Sequence, residues 1–98
     1  MGQTIAASSR AAAAVFAAAD AALGEPISAL AWTGPADQLD LTENAQPALV
    51  ATSIAILESL REGLAAAGHE LPQPRFAAGH SMGQYTAMVA AGALGLAL

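Results

Sequence analysis

The sequence predicts an α/β fold, rich in helix, with one clear strand that leads into a nucleophile elbow. Three observations carry that expectation. A serine stands between two glycines in Gly79-His80-Ser81-Met82-Gly83, the G-x-S-x-G spacing of a tight strand-to-helix turn. The run before it, Arg75-Phe76-Ala77-Ala78 after Pro74, reads as a short strand, and Gln84 to Ala91 follows a helical pattern. The chain is 55% hydrophobic, but much of that is alanine, which favours helix while burying little area.

Taken in order, Ser8 or Ser9 can cap a helix through about Leu23, with Val15, Phe16, Ala19 and Leu23 on one face and Gly24 as its stop. Pro26 confirms the break. Ser28 to Trp32 suits one or two helical turns, with Trp32 as a core anchor, and Pro35 opens another brief turn through Leu39. From Thr42 the pattern strengthens into the longest helix. Pro47 suits its first turn, and Leu49, Ser53, Ile56, Leu57, Leu60 and Leu64 recur at helical spacing. Glu58 and Glu62, with Arg61 among them, are expected on the opposite, solvated face. Gly68 ends that helix, and His69 to Pro74 form a linker whose lone histidine is expected to face solvent.

Ser81 is the candidate nucleophile. A Cβ at Gly79 or Gly83 is expected to strike the neighbouring backbone, and the serine is expected to sit strained with its hydroxyl pushed outward. The following helix would point its free N–H groups and positive dipole end toward the reacting centre, with the Met82 N–H as one oxyanion donor. With six serines and nine glycines in 98 residues, the bare pattern arises by chance about once in twenty such chains, so its strand-turn-helix setting matters more than the spacing itself.

Three arginines, no lysine and eight acidic residues give a net charge of -5, which excludes a phosphate-gripping surface and hence a nucleic-acid partner. The absence of cysteine excludes disulfides, thiolate metal sites and a cysteine nucleophile, and accords with a reducing compartment. No metal or cofactor is expected. Arg10 followed by Ala11 to Ala19 has the look of a short signal peptide, but Asp20 follows directly and the alanines continue as an amphipathic helix. Met88 to Leu98 is apolar but too short to span a bilayer. A soluble cytoplasmic protein with no membrane partner is the expectation. A single strand without neighbours, and an ending in apolar Leu96-Ala97-Leu98, further suggest a piece of something longer.

Three motifs in order resemble the malonyl-CoA:ACP transacylases of fatty-acid synthesis and the related acyltransferase domains of polyketide synthases. Ala14-Val15-Phe16 through Gly24 is similar to the family's first helix, and Gly34-Pro35 to a recurring turn. Leu41-Thr42-Glu43-Asn44-Ala45-Gln46-Pro47-Ala48-Leu49 is similar to its second signature. Gly79 to Tyr85, followed by Ala90-Ala91-Gly92-Ala93-Leu94, matches its nucleophile motif. Residues 1–98 would then form part of the α/β-hydrolase-like large subdomain of an acyltransferase. The first strand, with a glycine-glutamine motif for which Gly2-Gln3 must not be mistaken, would precede Met1. The catalytic histidine, the arginine for the malonyl carboxylate and the small subdomain would lie beyond Leu98.

The resemblance implies ping-pong transfer of malonyl from malonyl-CoA, through an acyl-Ser81, to the phosphopantetheine thiol of acyl carrier protein. Met82 would give an oxyanion N–H and Gln46 would line the pocket floor, unless it serves only as a cap ahead of Pro47. His80 belongs to the motif without being its base and is expected to pack beneath the elbow, and Gln84 replaces a more usual glutamate. The carrier protein, itself acidic, is expected to dock outside this chain. Two alternatives stand beside this. An α/β-hydrolase such as a lipase or thioesterase shares G-H-S-M-G, although Gln84 and the segment from Thr42 to Leu49 favour the transacylase. The other alternative is a truncated product that is catalytically inert, because a serine without a base lacks activation.

Overall fold

The computed structural model describes residues 1–96, and among them all regular secondary structure is helical. The order is α1 (Gln3–Ser8), α2 (Arg10–Leu23), α3 (Ile27–Thr33), α4 (Ala36–Leu39), α5 (Thr42–Ala66) and α6 (Gly83–Ala90). Ser9 separates α1 from α2 in extended backbone, and its Oγ accepts the Ala12 N–H at 3.1 Å, a side-chain N-cap. Gly24 closes α2 at φ 66°, where glycine carries no Cβ penalty.

α2 lies along α5, α1 and α3 pack against both, and α6 rests on α5. The particle measures 40 × 28 × 19 Å, about two helix diameters thick. Its core is Ala12, Val15, Phe16 and Ala19 of α2, Ile27 and Ala31 of α3, and Ala48, Ala51, Ile54 and Ala55 of α5. Phe16 is the one large side chain that is fully buried among the described residues. Trp32 anchors it as expected: the two rings meet edge to face, centroids 5.2 Å apart at 72°.

Two carboxylates hold helix ends from across the fold. Asp20 of α2 accepts the Ser28 N–H at 2.8 Å and the Ser28 hydroxyl at 2.5 Å, capping α3. Glu62 of α5 accepts the Ser9 hydroxyl at 2.8 Å and the Ala11 N–H at 2.9 Å, capping α2. Of the three charges expected on a solvated face of α5, only Glu58 and Arg61 pair with each other there, at 2.8 Å.

The structure corrects three further expectations. The clear strand after Pro74 is absent: no strand occurs among the described residues, and positions 72–81 are all exposed. A strand is stabilised by ladder partners, and none lies beside this run, so its backbone groups face water instead. The buried face of α5 is also different. Leu49, Ile56 and Leu60 point outward, 48%, 52% and 50% exposed, while Ala48, Ala51 and Ala55 turn to the core. Pro47 lies inside α5 rather than in its first turn, because the helix starts at Thr42. The final part of the apolar ending, Ala97-Leu98, lies outside the described residues. No helix of the described residues is long and apolar enough to cross a membrane.

Candidate active site

The chain turns into α6 through residues 80–83, and the turn is held by short-range bonds. The Gly83 N–H donates to the His80 carbonyl at 2.9 Å and the Gln84 N–H to the Ser81 carbonyl at 3.1 Å. Ser81 is the only non-glycine residue with positive φ among those described, at 54°. That left-handed conformation costs an L-residue on the order of 1–2 kcal/mol, so the turn imposes it. The strain puts Ser81 outside the helix and exposed, and no hydrogen bond among the described residues engages its hydroxyl. The Met82 N–H also finds no backbone acceptor among them, which leaves a donor free beside Ser81 at the start of α6.

The two glycines of the motif differ in their reasons. A Cβ on Gly79 would fall 1.9 Å from the Gly83 carbonyl oxygen, 2.1 Å from its carbon and 2.7 Å from the Gln84 nitrogen. Only glycine fits there. A Cβ on Gly83 would meet nothing within 4 Å, so the expected clash at that position does not exist.

A cleft of about 490 Å³ opens between the end of α2, the start of α5 and α6. Gln46, Pro47 and Val50 line it from α5, and Met82, Tyr85 and Val89 from the turn and α6. The structure thus brings Gln46 and Met82, 36 positions apart, to one wall system, but Ser81 is not among the lining residues. Gln84 lies on the other side of α6, in a groove with Ala77, Ala78 and Gly79. His80 is exposed rather than packed beneath the turn, since a two-helix-thick particle offers nothing under it. His69 is exposed as well.

Tyr85 and Glu43 were not legible as cleft residues. Tyr85 stands three positions after Met82 and four before Val89, both of which line the cleft, so helical spacing along α6 could have found it. Glu43 has no such local signal. It reaches the cleft because the first turn of α5 passes the end of α2.

The acyl transferase domain family matches residues 1–97. The chain belongs to that family. It is 49% identical over 81 residues to the malonyl CoA-acyl carrier protein transacylase of Bacillus subtilis (strain 168), covering 82% of this chain and 23% of that protein. With the transacylase of the same name from Escherichia coli (strain K12) it shares 40% identity over 82 residues, 84% of this chain and 25% of that one. The crystal structure of an acyl-carrier-protein S-malonyltransferase from Burkholderia pseudomallei 1710b is similar at TM-score 0.79 and 38% identity, across 93% of this chain and 28% of that one. This acyl transferase chain therefore spans about a quarter of the length of the curated relatives it matches.

Proposed function

We propose that this acyl transferase chain carries the nucleophile of a malonyl transfer from malonyl-CoA to the phosphopantetheine thiol of acyl carrier protein, by way of an acyl-Ser81. The observation that carries the proposal is Ser81 at φ 54°, exposed at the head of α6 and held there by a turn that only glycine at position 79 permits. Its relatives bear the name of that transfer. In the first half-reaction the Ser81 Oγ attacks the thioester carbonyl, and its proton goes to a base while the CoA thiolate leaves. In the second the carrier thiol attacks the acyl-serine, and the Ser81 oxygen takes back a proton as it departs. The free Met82 N–H and the N-terminus of α6 would steady the oxyanion in each step. Gln46 is assigned to the wall of the acyl pocket, and Gly79, His80, Gly83 and Gln84 to the elbow itself.

The 98-residue chain alone is inferred to turn over nothing. Among the described residues no side chain hydrogen-bonds the Ser81 hydroxyl, and general-base assistance is worth on the order of 10²- to 10⁴-fold. Carrier protein is assigned a docking surface outside this segment: Arg61 is already paired with Glu58, Arg10 opens α2, and Arg75 lies apart in the irregular run before α6 of an acidic chain. The cytoplasm is the setting these substrates imply.

The test is a chimera in which residues 1–98 replace the matching quarter of the Bacillus subtilis transacylase. Radiolabelled malonyl-CoA should acylate the Ser81 peptide of the chimera and leave the 98-residue chain unlabelled. Ser81→Ala should abolish the label. Label that persists in Ser81→Ala, or that appears on the isolated chain, contradicts the mechanism.

A further inference from the structure

The cleft between α2, α5 and α6 carries a charge for which the transfer chemistry has no use. Glu43 is the single formally charged side chain on its walls among the described residues, Gln46 and Tyr85 bring the other polar groups, and the rest of the lining is apolar. Glu43 and Gln46 stand three positions apart on α5 and are therefore neighbours on one face of that helix. No arginine neutralises the carboxylate. Arg10, Arg61 and Arg75 all lie off the cleft, and Arg61 is paired with Glu58. A place in the first turn of α5 suits the helix dipole, which accounts for an acid at that end of the helix but not for its facing the cleft.

We propose that Glu43 is a specificity-determining residue of the acyl pocket: its carboxylate disfavours acyl groups that carry a negative charge and is indifferent to uncharged ones. The inference rests on the acyl-Ser81 reading, because it takes an acyl group on Ser81 to enter this cleft, which Gln46 and the adjacent Met82 line. A cleft of about 490 Å³ is roughly 10 Å across, close to the Debye length at 0.1 M salt, so a charge anywhere inside it feels Glu43. Malonyl and acetyl thioesters differ by one carboxylate. Both carry the same CoA, so its phosphates cancel when the two are compared. Glu43 is exposed, and the screening is accordingly close to that of water. Two like charges 4 Å apart there shift an equilibrium by about fivefold, and more distant ones by less. Glu43 therefore handicaps malonyl against acetyl by about two- to fivefold.

The field itself is measured on the 98-residue chain, which has no cysteine, so Met82→Cys places a single thiol on the cleft wall. Its rates of reaction with an anionic and with a cationic methanethiosulfonate are compared with and without Glu43→Gln. Loss of the carboxylate should speed the anion and slow the cation, raising the anion-to-cation rate ratio about four- to twentyfold, and 1 M salt should erase most of that difference. The consequence for substrate is read in the chimera described above, as KM for malonyl-CoA and for acetyl-CoA. Glu43→Gln should lower KM for malonyl-CoA about two- to fivefold relative to acetyl-CoA, and Glu43→Lys should lower it further. A merely structural role at the start of α5 would move both substrates together. An unchanged thiol rate ratio would overturn the proposal, as would equal changes for the two thioesters. Weaker malonyl binding in Glu43→Gln would also overturn it, by showing that Glu43 works through a cation. Calorimetric binding of the two thioesters to the Ser81→Ala chimera repeats the comparison without turnover. A malonyl-specific gain there, in a parent chimera that takes no malonyl label, would count against the acyl-Ser81 mechanism alone.

Discussion

Replacing Gly79 by alanine should open the turn into α6, and the same change at Gly83 should not. An alanine methyl at position 79 would stand 1.9 Å from the Gly83 carbonyl oxygen and 2.1 Å from its carbon, both backbone atoms that cannot rotate away. Forcing a methylene into a packed site costs about 1–3 kcal/mol when side chains can give way, and more when backbone must. The cheaper response is to release the turn. That sacrifices the bonds from the Gly83 N–H to His80 and from the Gln84 N–H to Ser81, each worth about 1 kcal/mol, for a loss near 2 kcal/mol. At 1.4 kcal/mol per factor of ten, amide protection over residues 83–90 should fall about 30-fold in Gly79→Ala. Gly83 sits in α6 with open space where its Cβ would be, so Gly83→Ala should instead gain up to about 1 kcal/mol of helix propensity and raise protection there. Hydrogen exchange of the 98-residue chain measures both. Equal losses in the two variants, or an unchanged profile in Gly79→Ala, would show that the motif glycines are not distinguished by this contact.

Other consequences can be measured on the same chain. The Ser9 hydroxyl and then the Ala11 N–H hold the Glu62 carboxylate below its ordinary pKa of 4.5, so the cap on α2 is in force above that value and is lost as pH falls through the lower folded one. Acid titration followed by circular dichroism should show this loss, and Glu62→Gln should flatten the acid limb; an identical limb in both would dismiss the cap. Phe16→Ala removes the largest buried side chain and the edge-to-face partner of Trp32, and should cost about 3–5 kcal/mol with a red shift of the single tryptophan's emission. An unshifted emission and an unchanged midpoint would mean that Phe16 is not central to the core. Ser28→Ala should weaken α3 by about 1 kcal/mol through loss of its hydroxyl bond to Asp20, read as the denaturation midpoint against Asp20→Asn.

The sequence by itself determined what depends on neighbouring residues. A serine cap at position 8 or 9, Gly24 as a stop, the start of the long helix at Thr42 and the turn at Ser81 all follow from backbone preferences within a few positions; the structure keeps them and selects Ser9 as the cap. The family was legible for a similar reason, since its motifs are short and ordered along the chain. Only the tertiary structure decided which side of α5 is buried. Both sides are apolar, and the periodicity of Leu49, Ile56 and Leu60 draws the eye, yet α2 presents Ala12 and Ala19, and small residues on both helices allow the close approach that leucines would prevent. Turning the alanines inward carried Glu62 to the start of α2, a partner 53 positions away that no local pattern announces. It likewise took the fold to show that residues 75–79 have no strand to pair with, because a strand is a property of two segments and not of one.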